Sequence, residues 1–87
     1  MSLLIVDMVE FALEHNVYKI TDSEIKSVVC MPIEQVIDYA ISLGDIDNIQ
    51  LVGNKEYCNG IKSKLEETLA LEYADKNIKI EVVKWDI

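Results

Sequence analysis

A chain of 87 residues has room for one domain with one modest core, and its 51% hydrophobic content with a single proline and three glycines excludes a disordered or low-complexity chain. Sixteen acidic residues against eight lysines, with no arginine, give a formal charge of −8, and the excess lies in residues 1–48, where nine acids meet only Lys19 and Lys26. That half repels phosphate backbones; no apolar run approaches the roughly 18 residues of a membrane span, and the N-terminus lacks the basic flank of a signal peptide, so the expected location is the cytoplasm.

Residues 3–14 read as a helix. Asp7, Glu10 and Glu14 follow i, i+3, i+7 and fall on one stripe, and the remaining positions are apolar. Leu4, Ile5, Met8, Val9, Phe11, Ala12 and Leu13 cover more than the roughly 100° arc that one core needs, which implies burial on two sides. A second copy of the chain is the expected second side. Leu4, Met8 and Phe11, with Trp85 near the C-terminus, are the candidate self-association residues. His15, the single histidine, is expected to cap the end of this helix against its dipole.

Residues 17–20 form a brief extended piece. Thr21, with Glu24 three residues on, has the form of a capping box and predicts a short helix facing inward through Ile25, Val28 and Val29. Pro32 ends it and suits the first turn of the next helix, in which Ile33, Val36, Ile37, Ala40 and Ile41 keep a 3.6 period up to the stop at Gly44.

A short strand over 49–52 leads into a helix whose stripe is Tyr57, Ile61, Leu65, Leu69 and Tyr73, capped by Asn54. The glycines in "LVGNKEYCNGIKSKLEE" do not make a phosphate loop. Six residues, not four, separate Gly53 from Gly60, and Ile61 intervenes before Lys62-Ser63. Residues 78–85 alternate as a half-buried strand, with Lys79 and Lys84 discouraging stray edge pairing. If this strand pairs in parallel with 49–52, the long helix is a right-handed crossover. The expected fold is therefore α+β in a single domain, 1–87. Three N-terminal helices in a helix-turn-helix-like arrangement (3–48) are followed by a strand–helix–strand unit with a small sheet (49–87).

The stretch "VYKITDSEIKSVVCMPIEQVIDYAISLG" resembles the winged helix-turn-helix superfamily: a strand, a Thr-Asp-x-Glu cap, a short helix and a proline-containing turn before a third helix, over residues 3–52. The resemblance implies a third helix that reads the major groove with its outward face. Here that face offers Glu34, Gln35, Asp38, Tyr39 and Ser42, two acids and no base, which opposes phosphate contact and suits a protein partner.

Cys30 and Cys58 lack metal or redox spacing and are expected to be buried free thiols. With one histidine and no nucleophile–base pair, no catalytic residue, cofactor or metal is expected. Asp45, Asp47 and Asn48 read as a turn, and Glu66 with Lys62 as a surface i, i+4 pair. The expected function is a small, non-catalytic protein-interaction or regulatory module that forms a homodimer. The alternatives are a winged-helix DNA-binding regulator and an acidic inhibitor that imitates nucleic-acid charge.

Overall fold

The computed structural model describes residues 2–83. It is a five-stranded mixed sheet with two helices: β1 (Ser2–Met8), β2 (His15–Thr21), β3 (Glu24–Met31), α1 (Val36–Leu43, entered through a 3-10 turn at Ile33–Gln35), β4 (Ile46–Gly53), α2 (Lys55–Glu72) and β5 (Lys79–Val83). The strand order is β3-β2-β1-β4-β5. β1 pairs antiparallel with β2 and parallel with β4, and β4 pairs parallel with β5. Residues 79–83 and 49–52 thus join as the sequence suggested, within a much larger sheet.

The three-helix N-terminus is overturned. Residues 2–8 are the central strand of the sheet, and successive side chains alternate between full and partial burial. β1 carries apolar residues on both faces, Leu4 and Val6 toward the helices and Leu3 and Ile5 on the other side, so its period of two is invisible in composition. The excess of apolar residues that implied a helix buried on two sides is the requirement of a strand in mid-sheet. Glu10 and Glu14 belong to the exposed loop after β1, and their spacing from Asp7 carries no helical meaning.

The second expected helix is β3. Thr21 does not cap it: Thr21 and Glu24 face each other across a two-residue hairpin whose central residues, Asp22 and Ser23, have φ of 52° and 63°. Positive φ at both positions is what a type I′ turn requires, usually supplied by glycine or asparagine. Ile25 and Val28 are three apart, as on a helix, yet share a sheet face. Ile20 pairs with Ile25 while Lys19 pairs with Ser27, so Lys26 is the extra residue of a bulge.

From Pro32 onward the pattern and the structure agree in element type and order, except that Asp47 and Asn48, expected in a turn, belong to β4, where Asn48 pairs with Leu3 and Lys79. α1 ends at Gly44 in the left-handed conformation, φ 82°. Asn54 caps α2, its side-chain oxygen accepting from the Tyr57 amide at 3.0 Å, and α2 passes through Gly60 without a break.

Topology explains where the helices lie. The crossovers β3–α1–β4 and β4–α2–β5 both advance in the same direction across the sheet. Right-handed connections in one direction place both helices on one face. Leu4, Val6, Val17, Ile49 and Leu51 point to that face and, with Val36, Ile37 and Cys58, form a fully enclosed core. Among the described residues, no helix lies over the opposite face of the sheet.

Candidate functional site

Alternation along the strands and the pairing register define the open face. Its middle carries Leu3 and Ile5 of β1, Tyr18 and Ile20 of β2, Ile25 and Val28 of β3, and Val52 of β4. Ile25 and Val28 are exposed large hydrophobics, at 63% and 51%. Ile5, Asp7, Tyr18, Ile20, Ile25 and Val52 line a shallow depression of about 270 Å³ at its centre. Among the described residues, Asp7, Lys79 and Glu81 are charged members of this face. Glu81 accepts from Asn48 Nδ2 at 2.7 Å and lies 3.5 Å from Lys79. Those contacts, the Asn48 bond foremost, hold the Glu81 carboxyl below its ordinary range. In a chain of net −8, the side without helices is the side with little charge.

Glu34, Gln35, Asp38, Tyr39 and Ser42 do come together, on the outward side of the 3-10 turn and α1. All but the half-buried Tyr39 are exposed, and Gln35, Asp38, Tyr39 and Ser42 border one shallow hollow beside Met31. Asp38 accepts a hydrogen bond from the Tyr73 hydroxyl, which raises the phenol's pKa and ties α1 to the end of α2. Ser42 Oγ donates to the Tyr39 carbonyl at 2.7 Å. This surface is polar and internally satisfied.

The self-association residues separate. Leu4 and Met8 are 0% and 3% exposed and face the helices, so the monomer's own core uses them. Phe11 is on the surface at 91% exposure, in the loop after β1, with a left-handed φ of 63°. Trp85 lies outside the described residues, as does Lys84. His15 is not a helix cap: it opens β2, is 3% exposed, and its Nδ1 lies 3.3 Å from the Asp7 carbonyl. Cys58 is buried, but Cys30 is exposed at the β3 edge of the open face. Among the described residues, no three His, Cys, Asp or Glu side chains cluster as a cation site, and no helix is long and apolar enough to cross a membrane.

Tyr18 is a candidate recognition residue from its type alone, whereas Ile20, Ile25 and Val28 escaped the sequence reading as surface residues. The signal available was the density of β-branched and aromatic residues in "HNVYKIT" and "EIKSVVCM", interrupted by Asp-Ser.

Comparison with known protein families, curated proteins and solved structures gives no match.

Proposed function

We propose that the protein is a small, non-catalytic interaction module that self-associates through the open face of its sheet. The observation that carries this reading is the bare, weakly charged apolar face opposite the helices. At about 4.8 Å between strands and about 6.8 Å between same-face residues, each position covers roughly 33 Å² in projection, so the seven apolar residues of this face form a patch of roughly 230 Å². Contiguous apolar patches of a few hundred Å² are the size at which interaction sites begin to stand out.

A second copy suits this face electrostatically. Two chains of net −8 repel in most orientations, but a face-to-face approach brings together the surfaces with the fewest uncompensated acids. Sheets stacked this way pack about 10 Å apart with interdigitated side chains, and Ile25, Val28 and Tyr18 supply such side chains. Phe11 contributes an additional apolar anchor beyond the sheet only if the contact extends over the strand ends.

The test is light scattering coupled to size exclusion at low and high salt. The expected result is a salt-independent dimer for the native sequence, and a monomer for Ile25→Lys with Val28→Lys. A monomeric native chain, or a dimer indifferent to both lysines, refutes the proposal.

A further inference from the structure

β3 stands at one end of the strand order, so among the described residues its outer edge has no neighbouring strand. In an antiparallel pair, opposed residues alternate between those that exchange backbone hydrogen bonds and those that do not. Thr21 and Glu24 close the two-residue turn as a bonded pair, and counting along β2 makes Val17 with Val29, and His15 with Met31, bonded pairs too. Val28 and Cys30, opposite Tyr18 and Asn16, therefore turn their amides and carbonyls to the free edge. Natural edges are blunted by lysines, bulges and prolines. Here Lys26 and the bulge guard only the half next to the hairpin, and Pro32 follows after the strand has ended. Residues 27–31 between them carry neither a charge nor a proline.

The two sides of this edge differ in chemistry. On the open side it is bordered by the exposed side chains of Val28 and Cys30. On the helical side, where Met31 is buried, it meets the shallow hollow of Met31, Gln35, Asp38, Tyr39 and Ser42. Asp38 is the one charge in that lining. It accepts from the Tyr73 hydroxyl through Oδ1 alone, and none of the ion pairs among the described residues includes it. Glu34, exposed on the preceding 3-10 turn, adds to the negative potential. A strand laid along this edge would thus have apolar neighbours on one side and an acidic, polar hollow on the other.

We infer that the β3 edge binds an extended peptide segment of a partner protein, which adds to the sheet as a further strand antiparallel to β3. Antiparallel pairing is the more stable of the two per residue. Backbone hydrogen bonds to Val28 and Cys30 supply the affinity, and alternate side chains supply the selectivity. Peptide residues opposite Val28 and Cys30 lie on the open side beside them and are apolar. The residue between them points to the helical side and is a lysine or arginine, whose charge Asp38 receives. A second copy of β3 does not meet this need. With Val28 of one copy bonded to Cys30 of the other, Val29 faces Val29, and the strand's one cation, Lys26, is held by Glu24 at 2.9 Å.

The probe is the peptide acetyl-TVKVT-amide, titrated into the ¹⁵N-labelled full chain. The expected result is saturable amide shifts at Val28, Cys30, Asp38 and Tyr39, with slower hydrogen exchange at the Val28 and Cys30 amides. Methylating the two valine nitrogens of the peptide removes its donors to β3 and should abolish binding. Methylating the lysine nitrogen, which faces away from β3, should not. Asp38→Asn keeps an acceptor for Tyr73 and should weaken binding about twofold to fivefold, the scale of exposed charge pairs. Shifts centred on Leu3, Ile5 and Tyr18 would put the peptide on the open face and overturn the inference. So would equal binding of the two methylated peptides, or undiminished binding by Asp38→Asn. Equal affinity for acetyl-SVVCM-amide, which copies residues 27–31, would give the edge to a second copy and overturn it as well. None of these outcomes depends on a face-to-face dimer, which leaves the β3 edge free.

Discussion

On β1, Leu4 and Val6 are completely enclosed beneath the helices, while Leu3 and Ile5, their immediate neighbours and as hydrophobic, point to the uncovered side and stay half-buried. Along β4 the contrast is partial: Ile49 and Leu51 belong to the core beneath the helices, Gln50 on the other side is half-buried, and Val52 on that side is 4% exposed, buried by its neighbours within the sheet face. One strand therefore feeds two surfaces of opposite fate. The difference comes from the direction of the crossovers, which puts both helices on one side, and not from the residues themselves. What remains is a face with the composition of an interior and no helix over it among the described residues.

Truncation on the two sides should give the largest measurable contrast. Leu51→Ala removes a fully enclosed side chain from the core and should cost about 2–5 kcal/mol in urea unfolding. Ile25→Ala, on the open side, should change the stability of the monomer by no more than about 0.5 kcal/mol. If the open face is closed by a second copy, the Ile25 effect should grow with protein concentration, because dimerisation stabilises by mass action. A loss at Ile25 as large as that at Leu51 in dilute protein would mean that the two faces are not distinct.

That contrast also explains what could be read from the sequence. Residues 32–83 were legible because each element carries local punctuation: Pro32 at a helix start, Gly44 in the left-handed stop, Asn54 as a cap, and period two over 79–83. Residues 2–31 were not. Their identity as strands depends on β4 pairing with β1 from over forty residues away, and on a hairpin made by Asp22-Ser23 without glycine. The bulge at Lys26 then sets Ile25 and Val28 at a helical spacing on a flat surface. The candidate surface inherits the same blindness. The residues from Glu34 to Ser42, on the 3-10 turn and α1, could be placed on one side because the helical pattern is local, whereas the open face exists only once five strands are assembled.

The cysteines sharpen the comparison with less disturbance. Cys30 is exposed on the open side and Cys58 is enclosed on the inward side of α2, where burial, with the Glu10 charge adding, pushes its thiol up. An aromatic disulfide reagent should therefore titrate Cys30 alone in the native chain and reach Cys58 only in denaturant. Raising the protein concentration should slow the Cys30 reaction if the face is shared between two copies. A rate at Cys30 that is independent of concentration would place any dimer contact elsewhere.

The smallest effect is in acid, and it can be assigned to two places. Asp45, just before β4, accepts from Ser2 Oγ at 2.7 Å and lies 3.4 Å from Lys19. The Ser2 bond is the main reason its carboxyl is held below the ordinary range. Glu81, on the open face, is lowered chiefly by Asn48. For both groups the native state binds its proton less readily than the unfolded chain, so unfolding takes up protons and stability rises with pH. The contribution is fully present above the unfolded values, about 3.9 for Asp and 4.3 for Glu. It is lost as pH falls through the lowered native ones. Asp45→Asn and Glu81→Gln should each flatten the acid limb of the stability curve. Only Glu81→Gln should also alter self-association, because Asp45 lies at the amino end of the parallel strands and away from the face. Equal effects of the two substitutions on dimer dissociation would show that the charge of the whole chain, rather than the open face, governs assembly.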